Sequence, residues 1–377
     1  MTRPTLHVIQ NYLSVTENWV YEYIRRHRRY PPLVLTNRTQ NLELFGLPNG
    51  KIASLGERGA WQRGRDSLVR RLGGPPYASA VDLLRRSGAL VVHAHFGDIG
   101  WQHLWLAERG GAALVTSFYG YDVSMLPREA LWRERYRELF ARGARFIALA
   151  PEMAAALREL GCPAEKIAVI PLGIDLGRFR YERRGWDGGP INALMVASFV
   201  PKKGHLVALE ALALLLPEFP TLRLHLVGDG ELRPAIEAAI ERLGLAGAVT
   251  LHGNVPYATA GELGDQAHLF VLPSLTAPDG NQEGLPTVLI EAQARGLPVV
   301  ATRHAGIPSV VREGASGFLA EENDVASLAA AWRALLERPA AWPELGATGR
   351  AIVEESYDAA KQALKFEDLY AEVEATR

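Results

Sequence analysis

The sequence predicts an α/β protein made of two Rossmann-like domains, each built on a parallel β-sheet. Short apolar segments alternate with amphipathic helical segments along almost the whole chain, and several of the turns between them carry glycine. The charged and Gly-rich stretch 181–190 separates two halves of ordinary domain size. The expected parts are therefore a domain at residues 1–180, a second at residues 181–355, and a last helical segment at residues 356–377.

The first half contains six apolar segments with the length and composition of buried strands. They lie at residues 6–10, 33–35, 90–94, 112–116, 145–149 and 167–170. Amphipathic helical patterns fill most of the gaps, at residues 17–28, 78–86, 128–141 and 151–160. This βα alternation predicts a parallel sheet with helices on both faces, in which ligands bind beyond the carboxyl ends of the strands.

Three strand ends in the first half carry residues suited to a ligand. Ser14 and Glu17 follow the first strand, and their spacing is also that of a helix-capping box, so both roles stay open. His95 follows the strand 90–94, and Tyr119 and Asp122 follow the next strand. A lone histidine at a strand end is more often structural, but the aromatic residue and glycine that follow at each of the last two ends indicate close packing against a ligand.

The second half opens with a strand at residues 191–197 and a turn that carries Lys203. A lysine in a Gly-containing turn before a helix predicts a phosphate site, although this turn is not a Walker motif and a solvated surface lysine is the alternative. The next strand, 222–227, ends at Gly228-Asp229-Gly230. This G-x-G lacks the continuation of a dinucleotide fingerprint, which argues against an NAD-dependent oxidoreductase.

The strongest functional signal lies at residues 270–302, which combine a strand, a loop rich in Gly and Asp, a short helix and a second strand. Glu283 precedes the helix and Glu291 lies within it. The helix start offers N–H groups to an anion such as a diphosphate, and carboxylates accept hydrogen bonds from the paired hydroxyls of a ribose or a sugar. The pattern therefore describes a nucleotide-sugar site, with a surface pair between Glu291 and Arg295 as the alternative.

Glu283-x7-Glu291, together with Gly284-Leu285-Pro286, resembles the E-x7-E signature of retaining glycosyltransferases with the GT-B fold, especially family 4. The segment LTAPDGNQEGLPTVLIEA at residues 275–292 resembles the branch that builds exopolysaccharides such as colanic acid. The resemblance implies two Rossmann-like domains whose parallel sheets face each other across a cleft. It also implies that the first domain binds the acceptor, that the second binds the nucleotide sugar, and that the last helix packs back toward the first.

The resemblance also implies roles for single residues. It gives catalytic roles to Glu283, Lys203 and Tyr119. It places on the donor side Ser198, Gly228, Gly230, Asn254, Gly280, Gly284, Leu285, Thr287 and Glu291. It places on the acceptor side Ser14, Glu17, His95 and Asp122.

Three positions depart from the family pattern. Tyr119 stands where the T-F-H-G-x-D motif has histidine, Ser198 where the family has an arginine, and Ser309 where the G-G-x-x-E motif has glutamate. A phenol can position a sugar hydroxyl but cannot act as a general base near neutral pH. We therefore expect a positioning role at Tyr119, and a diphosphate site that relies on Lys203 and the helix start.

The two halves differ in charge. Residues 1–180 carry 25 Lys and Arg against 16 Asp and Glu, so the first half faces an anionic partner if the charge is functional. The densest basic groups are residues 25–29 and Arg63, Arg65, Arg70 and Arg71. Contact with a membrane surface and a set of solvated helix faces are both open interpretations. Nucleic acid is not expected as a partner, because no nucleic-acid-binding motif accompanies the charge.

Composition sets the expected compartment. The single cysteine, Cys162, cannot form an internal disulfide, and the chain shows neither a signal peptide nor an apolar run long enough to span a bilayer. We expect a cytoplasmic protein, peripheral at the inner face of the cell membrane if the basic half contacts lipid. No metal or cofactor is expected, because no D-x-D pair in a metal-ligand context occurs.

The expected function is retaining transfer of a hexosyl group from a nucleoside-diphosphate sugar to a saccharide or lipid-linked saccharide, in surface polysaccharide or glycolipid synthesis. The resemblance implies front-face attack by the acceptor hydroxyl, and a covalent route through Glu283 is the chemical alternative. Two other functions stay open. The chain could be a catalytically inactive nucleotide-sugar-binding subunit, or a GT-B phosphorylase or epimerase, because a fold does not fix its chemistry.

Overall fold

The computed structural model describes residues 3–14, 18–71 and 77–376, which form two compact units. Unit 1 comprises Met1–Gly173 and Ala359–Arg377, and unit 2 comprises Ile174–Asp358. The boundary expected after residue 180 lies inside unit 2. Ile174 belongs to that unit because its N–H donates to the carbonyl of Tyr357 at 2.9 Å.

Unit 1 is built on a seven-stranded sheet within the described residues, and all of its strand pairs are parallel. The strands are β1 (Thr5–Tyr12), β2 (Pro32–Thr39), β3 (Lys51–Ser54), β4 (Val91–His95), β5 (Ala113–Ser117), β6 (Arg145–Ala148) and β7 (Ile167–Val169). Their order is β3-β2-β1-β4-β5-β6-β7. The chain runs outward from β1 to β3 and then returns to place β4 beside β1. The switch point, where ligands bind in such sheets, therefore lies between β1 and β4.

Eight helices connect these strands among the described residues. They are α1 (Asn18–Ile24), α2 (Ala60–Arg71), α3 (Ala78–Ser87), α4 (Gly97–Gln102), α5 (Leu104–Gly110), α6 (Tyr121–Ser124), α7 (Ala130–Arg142) and α8 (Pro151–Glu159). The elements that the sequence missed in this unit include α4 and α5 between β4 and β5, and also β3 and α2. β3 is a short edge strand that begins at the exposed Lys51, and α2 has an exposed, mostly polar surface instead of a broad apolar stripe.

Unit 2 repeats the architecture with a six-stranded parallel sheet. Its strands are β8 (Ile191–Val196), β9 (Leu222–Val227), β10 (Val249–Gly253), β11 (Leu269–Leu272), β12 (Val299–Thr302) and β13 (Gly317–Ala320). Its helices are α9 (His205–Leu215), α10 (Arg233–Arg242), α11 (Tyr257–Gln266), α12 (Thr287–Ala294), α13 (Ile307–Val310), α14 (Val325–Leu336) and α15 (Trp342–Ser356). The strand order β10-β9-β8-β11-β12-β13 puts the switch point between β8 and β11. The predicted fold class, α/β with two Rossmann-like domains on parallel sheets, is confirmed.

The last helix, α16 (Ala359–Ala375), belongs to unit 1. Phe366 stacks on Tyr23 with ring centroids 4.3 Å apart, and Tyr370 is fully buried against the sheet. The carboxylate of Glu367 accepts the backbone N–H groups of Arg28 and Arg29 at 2.6 and 2.7 Å. The helix thus closes the hydrophobic core of unit 1. Among the described residues, no helix is both long enough and apolar enough to cross a bilayer.

Candidate functional site

In unit 2 the two predicted charged residues meet at the switch point. Lys203 ends a 3₁₀ turn after β8, and Glu283 lies in the loop after the neighbouring strand β11. Nζ of Lys203 is 2.5 Å from Oε1 of Glu283, and Nζ of Lys202 is 3.9 Å from Oε2. The Glu283 side chain is only 7% exposed. Lys203 is predicted as part of a phosphate site and Glu283 as an acceptor of hydroxyl hydrogen bonds, and the structure joins the two in a largely buried ion pair.

The charge of Glu283 results from two opposing effects. Burial alone would raise the pKa of this carboxyl, because a desolvated carboxylate is costly. The ammonium groups of Lys203 and Lys202 outweigh that effect, so the pKa of Glu283 lies below its ordinary value. The site therefore holds a carboxylate that is ready to accept hydrogen bonds at neutral pH.

Two further residues brace this loop, and the sequence did not identify them as site residues. The N–H of Glu283 donates to Nε2 of the buried His304 at 3.1 Å, which leaves the His304 proton on Nδ1 facing Oε1 of Glu322 at 2.8 Å. Oε2 of Glu322 also accepts the N–H and hydroxyl of Thr276 at 2.8 and 3.0 Å. The sequence offers one signal. His304 directly precedes Ala305, the position at which the family's G-G-x-x-E motif would begin.

Two glycines allow the strand-end loops of unit 2 to pack together. Gly204 has a φ of +72°, and a Cβ there would lie 1.9 Å from the carbonyl oxygen of Pro273. Gly228 has a φ of +136°, and a Cβ there would lie 2.0 Å from the carbonyl oxygen of Ala197. The loop of Lys203 can therefore approach the start of the loop of Glu283 only because Gly204 has no side chain, and the turn after β9 can approach the end of β8 only because Gly228 has none.

The start of α12 lies beside this pair in the sequence. Gly284 and Leu285 are buried just before the helix, and Thr287 is its first residue. Glu291 lies in the second turn and is half-buried. The guanidinium of Arg295, one turn further along the chain, pairs with Asp265.

The other predicted donor-side residues are spread around the same sheet edge. Ser198 is exposed after β8, Gly230 follows β9, and Asn254 is exposed after β10. Gly280 turns the loop after β11 with a φ of +87°, and its N–H donates to the carbonyl of Ala277 at 2.8 Å. These positions follow the same edge of the sheet as Lys203.

In unit 1 the predicted residues lie at the ends of β1, β4 and β5. Ser14 is half-buried two residues after β1, whereas Glu17 lies outside the described residues. His95 ends β4 and is fully buried, and its Nδ1 lies 2.7 Å from the hydroxyl of the half-buried Tyr119. Tyr119 therefore borders the surface, while His95 supports it from beneath.

Asp122 has a supporting position. It is fully buried, and its carboxylate accepts the N–H groups of Gly97, Tyr119 and Gly120, each at 2.9 Å. Burial raises the pKa of Asp122 to about 6, although these three N–H groups favour its charged form. Predicted as an acceptor-side residue, Asp122 contacts loop backbone and ties the turns after β4 and β5 together.

An aromatic group surrounds Tyr119. Trp19 and Phe96 lie with ring centroids 4.2 and 4.7 Å from that of Tyr119, and Tyr121 lies 5.3 Å from Phe96. Phe96 has a φ of +80°, a strained value for a residue with a side chain. Strain of this kind is common where the backbone must aim side chains at a ligand.

The two basic groups of the first half differ in their use. In residues 25–29, Arg25 and Arg26 pair with Glu22, and Arg29 pairs with Glu367 and Asp368. Much of this charge is neutralised within unit 1. The second basic group lies on α2. This helix also carries two exposed apolar side chains, Trp61 at 74% and Leu68 at 58%, which lie seven positions apart on one helix face.

Comparison with known proteins is consistent with this architecture. Residues 27–178 match Glycosyltransferase Family 4, and residues 180–351 match Glycosyl transferases group 1. Relatives include WcaL of Salmonella typhimurium, a protein named for a glycosyltransferase role in colanic acid biosynthesis, with 37% identity over 242 residues, or 64% of this chain and 60% of WcaL. The amylovoran biosynthesis glycosyltransferase AmsK of Erwinia amylovora is 38% identical over 57% of this chain and 53% of AmsK. The matched segment thus spans less than two thirds of these curated relatives.

Solved structures share the fold over the whole chain. HepE of Anabaena, crystallised with UDP, matches 98% of this chain and 100% of its own with a TM-score of 0.79 at 18% identity. Sucrose-phosphate synthase of Thermosynechococcus elongatus matches 100% of both chains with a TM-score of 0.78 at 20% identity. These neighbours have the GT-B fold, and the resemblance predicted from E-x7-E is confirmed. The chain therefore belongs to the GT-B glycosyltransferases, with a family 4 domain followed by a group 1 domain.

Proposed function

We propose that this protein transfers a hexosyl group, with retention of configuration, from a nucleoside-diphosphate sugar to a saccharide or lipid-linked saccharide during synthesis of a surface polysaccharide or glycolipid. The observation that carries this proposal is the buried Lys203–Glu283 pair at the switch point of unit 2, just before the start of α12. A charged carboxylate suits sugar hydroxyls, and an ammonium group beside a helix start suits a diphosphate.

The named relatives support the same proposal. WcaL and AmsK are named for the synthesis of two exopolysaccharides, and HepE has been solved with UDP and with UDP and glucose. A uridine nucleotide sugar is therefore the first donor to try.

The proposed chemistry needs stabilisation of the leaving diphosphate. As the acceptor hydroxyl attacks the anomeric carbon, the bond from that carbon to the diphosphate oxygen breaks, and the hydroxyl proton passes to the departing phosphate. Lys203 and the N–H groups that begin α12 would meet the developing negative charge without a metal. One fixed donor of this kind is worth about 3–4 kcal/mol in other enzymes. Glu283 would hold sugar hydroxyls, and Glu291 the ribose.

The first test is turnover of a panel of UDP-, GDP-, ADP- and dTDP-sugars by wild type and Glu283→Gln, with saccharide and lipid-linked acceptors and with EDTA in parallel. We expect one preferred donor, no loss with EDTA, and a fall of about 100-fold or more in Glu283→Gln, because the amide lacks the charge that pairs with Lys203. Glu218→Gln is the matched control, since it removes an exposed carboxylate that pairs with Arg333.

Other outcomes would replace the proposal. Nucleotide binding without turnover of any donor would indicate a binding subunit. Turnover that requires inorganic phosphate would indicate a phosphorylase, and epimer formation without acceptor would indicate an epimerase. Loss of turnover with EDTA would contradict the metal-independent mechanism.

We also propose that unit 1 contacts an anionic membrane surface through α2, where the lipid-linked acceptor would be found. Trp61 and Leu68 present exposed apolar groups on one face of this helix, and the exposed Arg71 lies one turn after Leu68. An interfacial helix combines these two features, because apolar side chains enter the headgroup region while arginines attract anionic lipid.

Vesicle co-sedimentation would test this contact. The double variant Trp61→Ala/Leu68→Ala should bind vesicles containing phosphatidylglycerol at least tenfold more weakly than wild type, because it loses the apolar area that would be buried. Leu214→Ala, at a residue of α9 in unit 2 that is 52% exposed, is the control. Equal binding by all three proteins would contradict the proposal.

A further inference from the structure

The two ends of the loop that carries Glu283 lie close together in unit 2. Thr276 is at the near end, just after β11, and Gln282 and Glu283 are at the far end. Nε2 of Gln282 donates to Oγ1 of Thr276 at 3.1 Å. Between these ends the N–H of Ala277 donates to the carbonyl of Asn281 at 2.9 Å, which closes the middle of the loop on itself. The position of Glu283 therefore depends on what holds the two ends.

One carboxylate reaches both ends of this loop. Oε2 of Glu322, which follows β13, accepts the N–H and the hydroxyl of Thr276 at 2.8 and 3.0 Å. The other oxygen, Oε1, lies 2.8 Å from Nδ1 of His304, and Nε2 of that ring accepts the N–H of Glu283 at 3.1 Å. Glu322 thus holds the near end of the loop directly and the far end through an imidazole.

The direction of these bonds fixes the proton of His304. A backbone N–H can only donate, so Nε2 of His304 is bare and the neutral ring carries its proton on Nδ1. That proton needs an acceptor, because His304 is only 1% exposed, and Glu322 supplies one. Burial would raise the pKa of Glu322, but hydrogen bonds from His304 and Thr276 outweigh it and hold this pKa below its ordinary value. The carboxylate is therefore charged at neutral pH.

Two other contacts hold the far end of the loop. Nζ of Lys203 pairs with the carboxylate of Glu283, and the N–H of Gly306 donates to the carbonyl of Gly284 at 3.3 Å. The ion pair is itself part of the candidate site, so a bound diphosphate would compete with Glu283 for the ammonium group of Lys203. The bond to His304 is made by the backbone of Glu283 and does not involve its carboxylate. It can therefore hold the loop while the carboxylate meets a ligand.

We propose that Glu322 is a positioning residue for the donor site, which acts through His304 and Thr276 to hold Glu283 in place. A displacement of about 1 Å in a site group can cost roughly 100-fold in rate, even when its cause lies away from the reacting atoms. The hydrogen bonds from Glu322 to the loop are independent of the proposed function, and only their effect on turnover rests on it.

Amide hydrogen exchange read by NMR tests the direct contact and the contact through His304 separately. In Glu322→Met, which keeps the side-chain length but removes both acceptors, the N–H groups of Thr276 and Glu283 should both exchange about tenfold faster or more. In His304→Leu only the N–H of Glu283 should do so, because Thr276 keeps its bonds to Glu322. Glu321→Met is the matched control, since the neighbouring Glu321 side chain is 67% exposed and pairs with Arg303.

Two exchange results would overturn the proposal. One is unchanged exchange at Glu283 in folded Glu322→Met, and the other is equally faster exchange at both ends in His304→Leu. The ¹⁵N resonances of the imidazole give a further readout on the wild type, because protonated and bare ring nitrogens are resolved. We expect His304 to carry its proton on Nδ1, and a proton on Nε2 would overturn the proposal.

Kinetics separates positioning of Glu283 from general support of the fold. Glu322→Met should lower kcat/KM for the donor about tenfold, less than Glu283→Gln does, because Lys203 and Gly306 still hold the loop. It should have no further effect in a Glu283→Gln background, where the carboxylate that it positions is gone. Equal losses in both backgrounds would overturn the positioning role. If wild type turns over no donor, the proposed function fails, while hydrogen exchange still decides whether Glu322 holds the loop.

Discussion

Buried ionisable residues differ in charge here because their surroundings differ. Glu283 is buried but stays ionised, since the ammonium groups of Lys203 and Lys202 outweigh the cost of desolvation. His7, His93 and His95 are buried among neutral or like-charged groups, so the pKa of each lies well below its ordinary value. The Glu283 carboxylate is therefore charged, while the histidine cluster is neutral at physiological pH.

His27 gives this difference a measurable consequence for stability. Burial, its largest cause, lowers the pKa of His27 from 6.5 to about 4. Between these values the unfolded chain binds a proton at His27 that the folded chain does not. The free energy of unfolding is therefore unaffected by this group above about pH 6.5, and it falls as the pH drops from 6.5 to about 4. One histidine contributes a slope of up to about 1.4 kcal/mol per pH unit.

We predict that His27→Leu makes the free energy of unfolding fall less steeply between pH 7 and pH 5, because the variant takes up about one proton fewer on unfolding. At pH 7.5 it should cost little, because both ring nitrogens of His27 lack hydrogen-bond partners among the residues described. Urea unfolding at pH 7.5, 6.5 and 5.5 measures both effects. Parallel pH profiles for the two proteins would show that His27 is charged, or free to become so, in the folded state.

At the scale of elements, the site of unit 2 depends on how closely loops approach at the carboxyl ends of neighbouring strands. Lys203 follows β8, Glu283 follows β11 and His304 follows β12. The strand order makes these three segments neighbours although they are far apart in sequence. Gly204 is the residue that lets the first loop pass the second, because its Cα lies against the carbonyl of Pro273.

We predict that Gly204→Ala destabilises the protein by about 3 kcal/mol or more and moves Lys203 away from Glu283. Two costs add in this variant, namely a left-handed backbone of about 1–2 kcal/mol and a clash with backbone that cannot turn aside. Gly244→Ala separates them, because Gly244 has a φ of +67° but open space where a Cβ would lie. The control should lose only about 1 kcal/mol in urea unfolding. Equal losses in the two variants would mean that the approach to Pro273 is not tight.

At the scale of the whole molecule, the chain ends in the unit where it began. α16 adds Phe366 and Tyr370 to the core of unit 1, after the chain has completed unit 2. Unit 1 therefore needs residues from both ends of the sequence to bury its apolar surface.

We predict that Phe366→Ala destabilises unit 1 by about 3–5 kcal/mol, the usual cost of removing a large buried aromatic side chain. Leu364→Ala on the same helix should cost less than about 0.5 kcal/mol, since Leu364 is 56% exposed. Hydrogen exchange read by mass spectrometry distinguishes the units: peptides of β1 and β4 should exchange faster in Phe366→Ala, and peptides of β8 and β11 should not. Faster exchange in both units would show that they unfold together.

The sequence predicted most elements because their signals are local. The largely apolar segments that became β4, β11 and β12 are buried on both faces, so their composition reveals them. Among the elements that it missed, β3 is an edge strand and α2 a largely exposed helix, and both carry weak apolar patterns. Predicted helix ends were accurate to a few residues, as capping signals allow.

By itself the sequence determined the α/β class, the family and the chemical types at the site, because periodicity and the E-x7-E spacing are written along the chain. Only the tertiary structure decided which residues meet. The pairing of Lys203 with Glu283, the support of that loop by His304 and Glu322, and the contact of His95 with Tyr119 join segments that strand order places side by side. Burial, and with it the charge of each group, depends on that placement, because desolvation and neighbouring charges exist only in the folded chain.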